Sequence, residues 1–232
     1  MPYRQVDHET ATYHPSSRSN CHQAVTYLFP DSVLLIFCKA PVVGQVKTRL
    51  QPTLTATQAA AAHRQLTRLT LDRAFQQPLC RVQLYCTPDT SHSFFEQCAK
   101  DYPLMLSIQR GADLGERMLN AFSDALSKYR HAILIGCDCP SLAVVDLHQA
   151  LTALQNGQGA VIAPAEDGGY VLIGLNSPQP VLFKDIPWGS EMVMAETRRK
   201  AKYASISIHE LARQWDVDTA EDWARYLCSH EA

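Results

Sequence analysis

The sequence predicts an α/β protein: a three-layer α/β/α sandwich around a mainly parallel central sheet. Two apolar runs, VLLIFC (33–38) and HAILIGC (131–137), are typical of strands buried on both faces of a parallel sheet. Segments with helical spacing of apolar residues separate these and the other strand-like segments. This alternation is the pattern of an α/β sandwich, in which ligands bind at the carboxyl ends of the strands.

The other elements follow in order along the chain. After the strand at 33–38, Thr55 and Gln58 have capping-box spacing and open a helix that runs to about Phe75. We expect further helices at 92–102, 113–129 (N-cap Asp113), 141–154 (N-cap Ser141), 190–203 and 219–228 (N-cap Thr219). We expect further strands at 81–87, 104–110 and 204–208, and a strand, turn and strand over 159–175.

The chain has 232 residues, enough for one sizeable domain. Residues 1–31 are polar and lack periodicity, so we expect a flexible extension, with AVTYLF (24–29) as an alternative ordered end. Residues 32–232 form the predicted domain.

Composition indicates an ordinary soluble globular protein, with 46% hydrophobic and 19% charged residues. The net charge of -2 gives no indication of a nucleic-acid partner, and no apolar run reaches the ~20 residues of a membrane span. The N-terminus has no apolar core of a secretory signal, so we expect a cytoplasmic protein. The eight cysteines are scattered, and Cys38, Cys86 and Cys137 lie in apolar runs, which favours buried thiols over disulfides.

A cationic loop follows the first buried strand. Lys39, Lys47 and Arg49 lie within KAPVVGQVKTRL (39–50), and Lys and Arg both suit phosphate oxygens. The loop is not a P-loop, because Pro41 and Val46 stand where that motif needs glycine. A solvated basic loop is the alternative.

A single acid follows the second buried strand, in GCDCPS (136–141). Asp138 is well placed there to hold a divalent cation, although a carboxylate satisfying the amides of a helix start is the alternative. Its neighbours Cys137 and Cys139 form a C-x-C. A thiolate zinc site needs four soft ligands, and the sequence places no others nearby, so zinc is not predicted.

Two glycines and an acid occupy EDGGYVLIGL (166–175). Gly168 and Gly169 allow a ligand to approach the backbone, with Asp167 beside them as an acceptor for hydroxyls; a plain tight turn is the alternative. Trp188, in IPWGSE (186–191), either walls a pocket or belongs to the core.

Two late acids occupy WDVDTAEDW (215–223). Asp216 and Asp218 alternate along a segment expected to be extended, so they should point to opposite sides. Only one of them is then expected to share a site with Asp138. The alternative is that both acids only accompany the start of the last helix.

Six motifs in order resemble a bacterial family of small glycosyltransferase-A-like proteins, which includes glycosyltransferases of the arsenosugar-biosynthesis type. The motifs are KAPVVGQVKTRL, QRGADLGERM, GCDCPSL, EDGGYVLIGL, IPWGSEMV and DVDTAEDW, and the resemblance runs from about Val33 to Tyr226. The resemblance implies a fold of the nucleotide-diphospho-sugar transferase (GT-A) type. It also relates the chain to nucleotidyltransferases of the same superfamily.

The resemblance implies roles for individual residues. Asp138 matches the position that binds Mg²⁺ or Mn²⁺ in those relatives, and Asp218 matches the second metal position better than Asp216. The predicted site residues are Asp167, Lys47 and Arg49 for catalysis, Lys39, Gly44, Lys47, Arg49, Asp113, Arg117, Gly168, Gly169 and Trp188 for nucleotide binding, and Asp138 and Asp218 for the metal. The helix start at Asp113 and Arg117 has a purely structural cap as its alternative.

The sequence departs from the relatives at three places. Gly44 is the only glycine of a loop that is glycine-rich in nucleotidyltransferases, Asp138 stands alone where many glycosyltransferases have Asp-x-Asp, and Gly189 stands where Ser is expected. We expect a metal-dependent glycosyltransferase with a nucleotide-diphospho-sugar donor and a small-molecule acceptor. The alternatives are a nucleotidyltransferase that releases pyrophosphate from a nucleoside triphosphate, and a non-catalytic nucleotide-binding protein.

Overall fold

A seven-stranded sheet forms the centre of the protein. The computed structural model describes residues 26–51 and 53–230. The strands are β1 (Ser32–Lys39), β2 (Arg81–Thr87), β3 (Met105–Ile108), β4 (His131–Ile135), β5 (Ala160–Pro164), β6 (Tyr170–Leu175) and β7 (Ile208–Glu210). Their order in the sheet is β3-β2-β1-β4-β6-β5-β7. β6 alone runs antiparallel to its neighbours β4 and β5, so the predicted mainly parallel sheet is confirmed.

The described residues form six α-helices. They are α1 (Ala56–Phe75), α2 (Ser93–Asp101), α3 (Leu114–Leu126), α4 (Val144–Gln155), α5 (Val193–Tyr203) and α6 (Ala220–His230), with short 3₁₀ turns at Thr48–Leu50 and Pro180–Leu182. The predicted capping box at Thr55 is present, since its hydroxyl accepts from the Gln58 amide while the Gln58 side chain accepts from the Thr55 amide. Thr219 and Asp222 cap α6 in the same reciprocal way.

Two apolar layers lie on opposite faces of the sheet. Along β1, Leu34, Ile36 and Cys38 face one layer, which contains the buried sides of α1, α2 and α4. Val33, Leu35 and Phe37 face the other layer, with α3 and α5. Both faces are buried because both are covered by helices, which explains the uninterrupted apolar run of β1. The predicted three-layer α/β/α sandwich is confirmed.

β1 and β4 are adjacent and parallel, so their carboxyl ends open at the same edge of the sheet. Leu35 pairs with Leu134 and Ile36 with Ile135. The loop after β1 and the loop after β4 therefore start side by side. A third, smaller apolar cluster joins the β1 loop, α1 and α6 next to this edge, through Leu50, Leu66 and Tyr226.

Two predicted element boundaries, at the start of α4 and at the last strand, differ from the structure. Ser141 is not the cap of α4: that helix begins at Val144, and the Asp146 carboxylate accepts from the Ala143 amide. The Ser141 hydroxyl instead accepts from the Trp215 amide at 2.9 Å, a long-range contact that local spacing cannot reveal. The last strand lies at β7, later than the predicted 204–208.

The N-terminal end of the described chain is already packed on the domain. The Leu28 and Phe29 amides donate to the Pro78 and Leu79 carbonyls, and Phe29 is buried. Ordered structure therefore reaches upstream of the expected boundary at residue 32. The rest of the predicted extension, residues 1–25, lies outside the described residues. Among the described helices, none is long and apolar enough to cross a membrane.

Candidate nucleotide and metal site

The loop after β1 folds back on itself. The Lys39 ammonium, which is exposed, donates to the Gln45 carbonyl at 2.9 Å. Gly44 has a φ of +79°, and nothing lies within 4 Å of a Cβ placed there, so its role is the turn and not a close contact. Lys47 itself adopts the left-handed conformation, with φ 48° and ψ 40°, just before the 3₁₀ turn. This conformation is uncommon for a residue with a side chain.

The Lys47 side chain turns inward to the acids. Its Nζ donates to Asp138 Oδ2 at 2.8 Å, to the Val217 carbonyl at 2.5 Å and to Asp218 Oδ1 at 3.2 Å. The side chain is only 6% exposed. Burial opposes its charge, but the Asp138 and Asp218 carboxylates outweigh burial and raise the pKa of Lys47 well above its usual value. Lys47 is therefore a permanent buried cation.

Arg49 lies at the rim of the same site. Its guanidinium is 71% exposed and donates to Asp218 Oδ2 at 3.2 Å. An exposed pair of this kind adds little stability. Arg49, Lys39 and Lys47 line a cleft of about 260 Å³, whose lining also includes Asp138 and Asp218. We call it the cationic cleft. The three predicted loop cations thus meet the two predicted metal ligands.

Asp216 joins these acids, contrary to the expectation that only one of Asp216 and Asp218 would face Asp138. One carboxylate oxygen from each of the three residues lies within 4.8 Å of the others. The expectation was wrong because residues 211–219 contain no regular strand, and the strict alternation of side chains does not apply. The Val217 amide donates to the Asp138 carbonyl at 3.0 Å, which holds the segment against the end of β4.

The electrostatics distinguish the three carboxylates. Burial would raise the pKa of Asp138, but the nearby Lys47 ammonium outweighs it and lowers that pKa below its usual value. Asp216 has no ion-pair partner among the described residues. Burial, and then the charges of Asp138 and Asp218, raise the pKa of Asp216 to about 7. One further positive charge near Asp216 would relieve this repulsion.

An apolar pocket of about 200 Å³ adjoins the acids on the other side of Gly136. Gly136 lines it, and a Cβ at that glycine would lie 2.9 Å from Asp138 Oδ1, so pocket and acids are immediate neighbours. Its apolar lining comes mainly from α3 and β6, and Phe37 of β1 contributes as well. The Tyr170 hydroxyl beside it is buried and has no hydrogen-bond partner among the described residues.

The Gly-Gly turn lies at the mouth of this apolar pocket. Asp167 is exposed and accepts from the Gly169 amide at 2.9 Å. Gly168 has a φ of +90°, and a Cβ there would lie 2.2 Å from the Glu191 carbonyl oxygen. Only glycine fits this contact. The turn is thereby packed against the loop that precedes α5.

Trp188 serves both predicted purposes, since it lines the apolar pocket and also packs on the core layer below α3 and α5. Gly115 allows this contact, because a Cβ there would lie 2.7 Å from Trp188 Nε1. Asp113 and Arg117 line neither cavity. The Asp113 carboxylate accepts from the Glu116 amide, and Arg117 Nε donates to the Gly111 carbonyl, so both side chains hold the start of α3.

Three buried soft ligands lie behind the cationic cleft, and the sequence did not predict their meeting. Sulfur and nitrogen atoms of Cys38, His63 and Cys137 lie within 4.8 Å of one another. Cys139 points elsewhere, with its thiol 3.2 Å from the Trp215 carbonyl. The two halves of the C-x-C therefore diverge. The sequence could have indicated that Cys38 and Cys137 lie close together, because they lie at the same end of adjacent strands. It gave no indication that His63, inside a helix, joins them.

The comparisons with known proteins agree with this fold. The family described as uncharacterized protein conserved in bacteria (DUF2064) matches residues 70–190, more than half of the chain. The chain belongs to the DUF2064 family. A crystal structure of a candidate nucleotide-diphospho-sugar transferase from Desulfovibrio desulfuricans G20 is 31% identical to it, with 88% of this chain and 89% of that chain covered and a TM-score of 0.79.

These two findings confirm the superfamily that the six motifs indicated, the GT-A-like nucleotide-diphospho-sugar transferases. No curated protein matches this DUF2064 chain significantly.

More distant structures share the fold alone. One is CMP:2-keto-3-deoxy-manno-octonic acid synthetase complexed with CTP, 13% identical over 87% of this chain and 99% of that chain, with a TM-score of 0.55. Another is 4-diphosphocytidyl-2C-methyl-D-erythritol synthase from Anaerococcus prevotii DSM 20548, 8% identical over 87% of this chain and 97% of that chain, with a TM-score of 0.58.

Proposed function

We propose that this protein is a metal-dependent glycosyltransferase that uses a nucleotide-diphospho-sugar donor and a small-molecule acceptor. One observation carries the proposal: Asp138, Asp216 and Asp218 converge beside the buried Lys47 ammonium, under a cationic cleft at the carboxyl ends of β1 and β4. Carboxylates that hold a cation beside phosphate-binding cations are what a nucleotide diphosphate needs. The likeness to the Desulfovibrio desulfuricans protein supports the choice of donor.

The three carboxylates fit Mg²⁺ or Mn²⁺. Carboxylate oxygens are the ligands that these hard cations prefer. Asp216 gains most from a bound cation, because burial, and then the charges of Asp138 and Asp218, raise its pKa despite the nearby Lys47 ammonium. Asp138, Asp216 and Asp218 would hold the ion. Its chemistry there would be to neutralise the negative charge that develops on the leaving diphosphate.

The loop cations bind the phosphates. Lys47 is already held at the acids, and its charge reaches the floor of the cationic cleft. Arg49 and Lys39 present a guanidinium and an ammonium at the rim of the cleft, where each can donate to phosphate oxygens without desolvation of a buried group. These cations share the charge of the leaving group with the metal site.

Asp167 is placed to act on the acceptor. It lines the apolar pocket, and its charge is close enough to contribute to the raised pKa of Asp216. A hydroxyl held at the mouth of that pocket can donate to Asp167, which orients it or removes its proton. Gly168, Gly169 and Trp188 shape this mouth.

Nucleotidyl transfer is the second candidate function. The cationic cleft has three cations, Lys39, Lys47 and Arg49, and this number also suits a triphosphate. In that reaction an acceptor oxygen attacks the α-phosphorus, and pyrophosphate leaves. The same site would therefore release a different product.

Product analysis separates these functions. The wild-type protein and Asp138→Asn are incubated with Mn²⁺ and a panel of nucleotide-diphospho-sugars or nucleoside triphosphates, each with pooled hydroxyl acceptors. The proposal predicts a nucleoside diphosphate product that appears with the wild type only. If pyrophosphate is released instead, the protein catalyses nucleotidyl transfer and not glycosyl transfer. Metal-dependent binding without any product across the panel would support a non-catalytic nucleotide-binding protein instead.

A further inference from the structure

Three soft metal ligands converge from three separate elements, outside the carboxylate site. Cys38 is the penultimate residue of β1, His63 lies in α1, and Cys137 follows β4. Their side-chain ligand atoms lie within 4.8 Å of one another, and all three residues are at least 95% buried. Because the elements come from distant parts of the sequence, the folded chain holds this set in place.

The separation of Cys38 Sγ and His63 Nε2 fits coordination to one ion. Zinc binds sulfur at about 2.3 Å and nitrogen at about 2.0 Å, so two such ligands on a tetrahedral ion lie about 3.6 Å apart. Cys38 Sγ and His63 Nε2 are 3.7 Å apart in the structure. These two atoms need almost no movement to share an ion.

The present hydrogen bonds leave His63 incompletely satisfied. Its Nε2 lies 2.8 Å from the Lys39 carbonyl oxygen, whereas its buried Nδ1 has no hydrogen-bond partner among the described residues. Nε2, the nitrogen near Cys38 Sγ, would exchange its contact with the Lys39 carbonyl for a bond to the metal.

An access route is present. His63 lines the cationic cleft of about 260 Å³, together with Lys39 and Asp138. A small ion that enters this cleft can therefore reach the imidazole. The chemistry of the two sites differs: thiolates and imidazole favour soft or borderline ions such as zinc and cadmium, while the carboxylates favour Mg²⁺ or Mn²⁺.

We propose that Cys38, His63 and Cys137 form a binding site for one thiophilic divalent cation of the zinc and cadmium class, distinct from the carboxylate site. Binding releases the protons of the two thiols, and a carbonyl oxygen or water completes the coordination. The proposal does not depend on the function of the carboxylate site.

Cadmium titration tests the site. Reduced, metal-free protein is titrated with Cd²⁺, and the ultraviolet charge-transfer band of cadmium thiolate is recorded. We expect saturation at one equivalent, loss of the band in Cys38→Ser and in Cys137→Ser, and no change in Asp138→Asn. Cys80→Ser is the matched control, because Cys80 is a buried free thiol outside the cluster, and it should keep the full band.

A band of full intensity in both Cys38→Ser and Cys137→Ser would overturn the proposal, as would a folded wild type without the band. X-ray absorption on the zinc-loaded wild type covers the case in which the variants fail to fold. The expected first shell has two sulfur atoms at about 2.3 Å and one nitrogen at about 2.0 Å. A shell of oxygen and nitrogen alone would place the zinc elsewhere and refute the site.

Discussion

Lys47 is a cation held between two acids, so its removal exposes their repulsion. Lys47→Met leaves Asp138 and Asp218 without their buried partner, and we expect the free energy of unfolding to fall by about 2 kcal/mol at neutral pH. Because Mn²⁺ can neutralise the same carboxylates, it should stabilise this variant more than the wild type. Urea unfolding with and without Mn²⁺ measures both effects.

Lys39→Met is the control for this variant, since the Lys39 ammonium is exposed and, among the described residues, donates only to the Gln45 carbonyl. It should leave stability within about 0.5 kcal/mol of the wild type. An equal fall in the free energy of unfolding in the two variants would mean that the buried Lys47 contributes no more to stability than the exposed Lys39.

Asp216 should make the ion-free protein less stable as pH rises. A carboxyl whose folded pKa is about 7, above its unfolded value of about 4, favours folding while protonated, and this contribution disappears between those two pH values. Asp216→Asn has no carboxyl to ionise, so its stability does not fall for this reason as pH rises. Its advantage over the wild type should therefore grow from pH 4 to pH 7 and level off above it.

The gain at pH 8 should be about 2 kcal/mol, after allowance for solvent screening of a half-buried group. Chemical unfolding in EDTA over this pH range provides the measurement. A difference between Asp216→Asn and the wild type that stays constant from pH 4 to pH 8 would contradict the raised pKa.

At the scale of elements, the turn between β5 and β6 depends on a close backbone contact at Gly168. A Cβ there would lie 2.2 Å from the Glu191 carbonyl oxygen, whereas at Gly189 nothing lies within 4 Å. Both glycines have similar positive φ values, 90° and 81°, so alanine meets the same backbone strain at either position. We expect Gly168→Ala to be about 2 kcal/mol more destabilising than Gly189→Ala. Thermal unfolding of the pair isolates the contact, and equal losses would show that the turn is not closely packed.

The elements themselves were largely predictable, for identifiable physical reasons. The runs 33–38 in β1 and 132–135 in β4 are apolar because both faces of the sheet are covered. Thr55 and Thr219 cap their helices through hydrogen bonds with residues three positions further on. Such signals are local. Ser141 shows their limit, since its hydroxyl is engaged by Trp215, which is distant in sequence.

The site was predictable only in part, for the same reason. Lys47 and Asp138 follow buried strands, and parallel strands bring their ends together. Asp216 and Asp218 both reach the site because they lie in an irregular segment. Tertiary contacts set the path of that segment, including the hydrogen bond from the Val217 amide to the Asp138 carbonyl. No periodic pattern encodes that path.

At the scale of the whole molecule, the C-terminal helix secures part of the site. α6 begins two residues after Asp218, and its Tyr226 is buried against α1 and the β1 loop. Tyr226→Ala should lower the free energy of unfolding by about 3 kcal/mol and also weaken Mn²⁺ binding, because the acids lose their support. Calorimetric titration with Mn²⁺ at a temperature where the variant is folded tests this.

Phe95→Ala is the matched control. Phe95 is fully buried in α2, in the apolar layer on the other side of the molecule from α3, and belongs to a different cluster from Tyr226. It should reduce stability by a similar amount and leave the Mn²⁺ affinity unchanged. Equal loss of affinity in both variants would indicate a general effect of instability.

The proposed function requires that Asp138, with its neighbouring acids and Lys47, binds a metal–nucleotide complex. The most direct measurement is calorimetric titration of nucleoside triphosphates and nucleotide-diphospho-sugars, with and without Mn²⁺, into the wild type, Asp138→Asn and Asp31→Asn. Asp31 precedes β1 at the opposite edge of the sheet and serves as the control. We expect Mn²⁺-dependent binding that Asp138→Asn weakens at least about 100-fold, or about 2.7 kcal/mol, and that Asp31→Asn preserves. Equal affinity in Asp138→Asn and the wild type would contradict it.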